Sequence, residues 1–218
     1  MNPQFVRDHT RAISRSVLRW GRINYQAYPW RQERSAWLAL VAEILLSRTR
    51  ASSVIPVWTE FSRRYPNPED LVDEVDSTLF ELLAPLGLRW RIRLIKSLAA
   101  TLYDTAVPTD LADLQKLPAV GTYVAAAHMS LYRNRRAVIV DVNIVRWICR
   151  LTGVNRKPDM RRNRWLNEIA DELTPKTSFK DYNYAVLDLT MTLCTSRPKC
   201  AECPVSGFCN YYLTSYQN

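Results

Sequence analysis

Three sets of residues in this chain could do chemistry. Asp141 ends the run Ala137-Val-Ile-Val-Asp141, and across residues 137–145 the only other polar residue is Asn143. Glu43 is the only non-apolar residue of Ala36-Trp-Leu-Ala-Leu-Val-Ala-Glu-Ile-Leu-Leu46. A carboxylate set among apolar side chains is costly to ionise unless paired, and such acids concentrate at functional sites. Acids in these settings can pass a proton or stabilise positive charge that develops in a reaction. The plain alternative is a Glu43 that faces solvent or pairs with Arg48 or Arg50, and an Asp141 that only caps a helix.

The second set is the stretch Leu117-Pro-Ala-Val-Gly-Thr-Tyr-Val124, twenty residues before Asp141 when counted from Gly121. It lies between two helical patterns, Asp110 to Leu117 and Thr122 to Tyr132. A helix that opens at Gly121 offers unpaired backbone N–H groups and the positive end of a dipole, which suits a phosphate and ignores base sequence. Alone, the loop reads equally well as an ordinary helix–turn–helix. The third set is Cys194, Cys200, Cys203 and Cys209, spaced C-x5-C-x2-C-x5-C. Four thiols in sixteen residues are a metal-site pattern, and both tetrahedral zinc and a [4Fe–4S] cluster use four. Zinc sites usually carry two separated C-x2-C pairs. Only one such pair occurs here, which places the iron–sulfur reading ahead of zinc.

The elements that must hold these residues read as helices. Only five Gly and little Thr–Val alternation point to an all-α fold. Residues 4–24 form a first pattern with Arg7, Arg11, Arg15, Arg19 and Arg22 on one stripe, either a solvated face or a track for phosphates. Tyr28-Pro-Trp-Arg31 breaks it. Helices follow over 36–46, from Asn67-Pro-Glu-Asp-Leu71, over Leu79 to Leu86, and over Arg89 to Tyr103 with Ile92, Ile95, Leu98 and Leu102 on one face. Asp141 caps a helix with Ile144, Trp147, Ile148 and Leu151 on one face; Cys149 there is a small core residue. Residues 155–164 are a basic loop into Trp165–Leu173, and a last helix after Pro175 runs to Cys194.

At 218 residues the chain is long enough for one large or two small cores. A net charge of +9 favours a polyanionic partner, nucleic acid rather than a membrane surface. No apolar run reaches membrane-spanning length and no signal-peptide core opens the sequence. Cysteines bunched near one end do not form a secreted disulfide framework. The expectation is an intracellular, cytoplasmic, nucleoid-associated monomer.

Taken together, these residues resemble the helix-hairpin-helix DNA glycosylase superfamily, the group that includes endonuclease III. The family pattern is Leu-Pro-Gly-Val-Gly, a helix, then a catalytic Asp; here Ala119 stands at the first Gly and Gly121 at the second. Glu43-Ile-Leu-Leu-Ser-Arg-Thr49 is similar to the first catalytic helix of the mismatch glycosylases. The cysteine pattern differs from the endonuclease III spacing by one residue in its first loop, while Pro198, Lys199 and Pro204 resemble the family loop. The resemblance spans about Pro29 to Cys209. It implies two all-α lobes, a six-helix lobe over 30–135 with the hairpin, and a lobe from 1–29 and 136–218 with a [4Fe–4S] loop, the active site lying in the cleft between them. Zinc is the alternative metal.

The resemblance also implies roles. Asp141 would stabilise the oxocarbenium-like sugar and align water, Glu43 would protonate or hydrogen-bond the departing base, and Ser47, Arg48, Val120, Gly121 and Asn143 would meet DNA. Leu88, after Gly87, would wedge into the duplex gap left by a flipped nucleotide. Bifunctional relatives carry Lys at position 123 to form a Schiff base. A phenol cannot form an imine, so Tyr123 implies a monofunctional enzyme with little lyase activity. The activity expected is hydrolysis of the glycosidic bond of T or U opposite G in double-stranded DNA. The alternative enzyme removes A opposite G or oxidised G; those relatives carry a long C-terminal domain, whereas this sequence ends nine residues after Cys209. The alternative of another class is an iron–sulfur DNA-binding protein without catalysis.

Overall fold

The segment 36–46 is apolar on every side, so its helix can only be stable when surrounded. In the structure, a computed structural model, it is: Trp37 to Leu45 are all buried in α3, Ala36–Leu46. Residues 3–87 and 90–216 are described, with Ser215 and Tyr216 as backbone only. Among them there are helices and turns and no strand. The chain divides into two compact units, Met1–Gln26 with Arg136–Asn218, and Ala27–Arg135.

In the second unit α3 is the central post. Ser35 caps it, its hydroxyl accepting from Leu38 N–H at 3.3 Å. Around it pack α4 (Ala51–Arg64), α7 (Trp90–Thr101), α9 (Thr122–Ala127) and the turn that continues α9, with α5 (Glu69–Val72) and α6 (Asp76–Leu83) bracing the outer side. Trp37 Nε1 donates to Tyr65 O at 3.0 Å, which ties the start of α3 to the end of α4. The helices read from sequence do not include residues 51–64, a stretch that contains Pro56. The structure runs α4 straight through it, and Val54, Val57, Trp58 and Phe61 are buried on one face. Burial of that face, at roughly 1.5–3 kcal/mol per large side chain, outweighs the backbone bond lost at Pro56.

The hairpin follows. Asp110 caps α8 (Leu111–Leu114) by accepting from Asp113 N–H at 2.9 Å. Ala119 then takes φ +64°, the left-handed region where glycine is at ease and alanine is strained by about 1–2 kcal/mol. The turn is therefore kept, although its first glycine is absent. Gly121 opens α9, and after Ala127 the helix widens into a π-turn, His128–Tyr132, closed by Arg133 N–H to His128 O at 3.1 Å. The second hairpin helix is thus α-helical for only its first half.

In the first unit α2 (Thr10–Asn24) lies along α12 (Phe179–Thr192) and α11 (Arg164–Leu173), and α10 (Val142–Thr152) packs on both of those and on α1 (Pro3–Asp8). The pattern over 4–24 is two helices, broken at His9 (φ −112°, ψ 11°). Gly21 allows the close approach of α2 to α12: a Cβ there would sit 2.3 Å from Ala185 Cβ. Arg7 is tied down by Glu172 and by Glu168 at 3.6 Å, while Arg11, Arg15, Arg19 and Arg22 stay exposed along α2. No helix of the described residues is long and apolar enough to cross a membrane.

Candidate active site and cysteine loop

Asp141 stands at the mouth of α10, and its neighbours fix it fully. Oδ1 accepts from Asn143 N–H at 2.9 Å and Ile144 N–H at 2.7 Å; Oδ2 accepts from Asn143 Nδ2 at 2.9 Å. The residue is half-buried. The segment leading to it is anchored by Asn183 Nδ2, which donates to Ala137 O at 3.1 Å from within the buried face of α12. Asn143 is held in turn, its Oδ1 accepting from Arg146 Nη1 at 2.9 Å. Arg146 also donates to Thr190 O and Cys194 O, at 2.9 and 2.8 Å. Asp141 is a helix cap, as the plain reading had it, but a capping Asp needs no second oxygen bonded by a fixed Asn, and this one has it.

In the other unit Glu43 is 3% exposed. It does not face solvent. Its Oε1 accepts from the hydroxyl of Tyr132 at 3.0 Å. The helix that carries it ends in a buried cation, Arg91 from α7, only 1% exposed. Arg91 donates to Leu45 O at 2.9 Å, to Ser47 O, and to Thr49 Oγ1 at 2.9 Å. The first two are carbonyls at the end of the helix, where backbone acceptors lack intrahelical partners, and a cation suits that pole of the dipole. Burial pulls the Arg91 guanidinium down to about 10, still charged at neutral pH. The turn so clamped holds Arg48 at φ +60°, with its side chain exposed beside half-buried Ser47. Neither Tyr132 nor Arg91 was singled out from sequence. A signal existed for Arg91, which shares the stripe 91, 95, 98, 102 with Ile95, Leu98 and Leu102. None existed for Tyr132, 89 residues from its partner.

At the hairpin, Val120 is buried with its N–H donating to Leu117 O at 3.2 Å, so neither its side chain nor its amide is turned outward. Gly121 is exposed, extended (φ −82°, ψ 178°), and supplies no side-chain cap to α9. Its φ does not demand glycine, and a Cβ there would meet nothing within 4 Å. The packing of the chain itself therefore gives no reason for a glycine. Tyr123 is half-buried in the first turn of α9. Leu88, the expected wedge, lies outside the described residues, just after Gly87 at φ +72°.

The four C-terminal cysteines line one small cavity with Trp147, Arg150, Pro198 and Lys199. Their thiols crowd one another. Burial first, and then the neighbouring thiols, push Cys203 up to about 12 and Cys209 up to about 11, and Cys200 is raised as well. Three thiols that resist ionisation, gathered with Cys194, are a donor set that suits a cationic iron or zinc centre, since a bound metal holds thiolate outright. Arg150 faces them, with Nη1 3.4 Å from Cys194 Sγ and its guanidinium 5.0 Å over the Tyr211 ring. Among the described residues no group of His, Cys, Asp or Glu is drawn tightly around a single ion position. The residues present thus fit a four-thiolate centre in kind.

Known proteins are similar to this chain over most of its length. The profile of the HhH-GPD superfamily base excision DNA repair proteins matches residues 41–172. The thymine-DNA glycosylase of Aeropyrum pernix is 34% identical over 92% of this chain and 94% of its own. The thymine/uracil-DNA glycosylase of Pyrobaculum aerophilum is 32% identical over 90% of each. The solved structure of a thermostable thymine-DNA glycosylase superposes with a TM-score of 0.84 at 30% identity, over 94% of this chain and 97% of that one. The matched stretch holds Glu43, the hairpin and Asp141 alike, and the chain belongs to the HhH-GPD superfamily of base excision DNA repair proteins.

Proposed function

We propose that the chain is a monofunctional DNA glycosylase that hydrolyses the glycosidic bond of T or U opposite G. The observation that carries this reading is the triply bonded Asp141 carboxylate at the mouth of α10. The bond to be cut is hidden inside the duplex, so the nucleotide must first swing out. As the base leaves, the sugar gains positive charge. A carboxylate with both oxygens already oriented needs no reorganisation to face that charge, which is where a fixed group contributes most. Asp141 plays this part and aligns the attacking water. Glu43 gives a proton to the departing base, so that two carboxylates divide the work as in glycoside hydrolysis. Tyr123 replaces an amine nucleophile, and an abasic site is left with the strand intact.

The exposed backbone at Gly121 takes a phosphate, Arg48 and Ser47 contact the strand near Glu43, and Asn143 touches DNA besides steadying Asp141. Leu88 is the wedge. Val120 contributes by shaping the turn. Cys194, Cys200, Cys203 and Cys209 hold a [4Fe–4S] cluster; when bound it supplies structural cross-linking of the 194–209 loop. Support for thymine or uracil as the target comes from the relatives named above. The test is a panel of end-labelled duplexes with T·G, U·G, A·G and A·oxidised-G under single-turnover conditions. Base release from T·G and U·G, with strand breakage only after alkali, is expected. Release confined to the two adenine duplexes would transfer the reading to adenine removal, and no release from any would leave a DNA-binding protein.

A further inference from the structure

We propose that Tyr132 is a positioning residue for Glu43, and that the π-turn His128–Tyr132 exists in this chain to deliver it. The inference rests on the reading of Glu43 as the acid. A regular helix from Thr122 would carry each later residue round at 100° per step; the π-turn inserts extra arc and resets the face on which Tyr132 emerges. There its hydroxyl meets Glu43 Oε1 at 3.0 Å. The ring of buried His128 stacks near the Tyr132 ring, with centroids 6.1 Å apart, and limits its freedom.

The consequence for proton transfer is specific. With Oε1 accepting from the phenol, the transferable proton of Glu43 resides on Oε2. When the C–N bond breaks, its electron pair leaves with the base and the Oε2 proton passes to a base nitrogen. The carboxylate that remains is still hydrogen-bonded by Tyr132. A donor to the charged form makes release of the proton easier and opposes the effect of burial. The phenol therefore does two things: it fixes which oxygen keeps the proton, and it favours the ionised form of Glu43.

Few other groups compete for this role. His128 is pushed down to about 4 by burial and by Arg133, so it is neutral above that pH. Arg91 is engaged with the end of α3, and Lys96 of α7 with Asp76 and Glu74. Arg93 of α7 and Arg50 at the start of α4 are exposed. Arg63 and Arg64 of α4 both pair with Glu60, and the Tyr65 hydroxyl donates to Glu74. Buried Arg31, whose guanidinium lies 5.0 Å over the Tyr28 ring, and half-buried Tyr123 also sit on elements packed against α3.

The experiment uses the intact chain as wild type, Tyr132→Phe, Glu43→Gln and the double variant. Single-turnover release from a T·G duplex is followed from about pH 5 to about pH 9, where a shifted carboxyl limb is readable. Tyr132→Phe should lower the plateau rate roughly tenfold, move the limb that reports Glu43 to higher pH, and leave duplex affinity unchanged. In the Glu43→Gln background it should change nothing further. Carbon-13 NMR of the Glu43 carboxyl without DNA should show the same upward shift in Tyr132→Phe, which tests the contact even where activity is low. Equal loss from Tyr132→Phe in both backgrounds, or an unmoved carboxyl titration, overturns the proposal. A fully active Glu43→Gln would instead overturn the acid role itself, so the two failures are distinguishable.

Discussion

Ala119 shows how one residue can carry a cost for a shape. It holds φ +64° where a glycine would be unstrained, so Ala119→Gly should stabilise the chain by about 1 kcal/mol, less whatever the added freedom of the unfolded glycine takes back. Thermal melting checks it. Gly121 is the reverse case. Nothing among the described residues requires it, so Gly121→Ala should leave melting unchanged and weaken duplex binding, on the order of tenfold, because the methyl group stands where a phosphate would approach. If both melting and affinity are unaffected, the hairpin is not a phosphate site. His128 adds a pH signature. Its folded value is pushed down to about 4 from 6.5 by burial and by Arg133, so between those pH values the unfolded chain binds the extra proton. Stability should therefore fall as pH drops from about 6.5 towards about 4, by on the order of 3 kcal/mol from this residue. His128→Leu should flatten that part of the acid limb in urea unfolding.

At the scale of elements, the packing of α2 on α12 depends on Gly21. Gly21→Ala places a methyl group against Ala185 and should cost about 1–3 kcal/mol of stability, read from denaturant midpoints. Much at this scale was legible in sequence. The boundaries of α3 were, because a run apolar from Ala36 to Leu46 except at Glu43 leaves little choice. So was the start of α10, where Asp141 accepts from Asn143 and Ile144. α4 was not, since Pro56 is a local breaker and only the buried face of Val54, Val57, Trp58 and Phe61 reveals why the helix persists. The π-turn was not legible either, because its widening leaves the apolar pattern of 122–132 nearly intact. Of the candidate site, the acids and the hairpin were proposed from residue type and spacing. Their supports, Tyr132 for Glu43 and Arg91 for the end of α3, depend on contacts between distant parts of the chain that spacing does not encode.

For the whole molecule, a charge of +9 and the exposed stripe Arg11, Arg15, Arg19 and Arg22 set an electrostatic background that any duplex will feel. The cysteine loop makes its own prediction: anaerobically purified chain should carry iron and sulfide in equal amounts, and Cys203→Ala should lose both and melt at lower temperature. Stoichiometric zinc would assign the other metal. The central claim is that Asp141 carries the bond-breaking step, and single-turnover base release from a T·G duplex by Asp141→Asn tests it most directly. Asparagine keeps the shape and can still cap α10, but it lacks the charge that faces the developing cation. The account predicts a loss of at least about a hundredfold in rate with duplex affinity retained. A rate within a few-fold of the unmodified chain would contradict it.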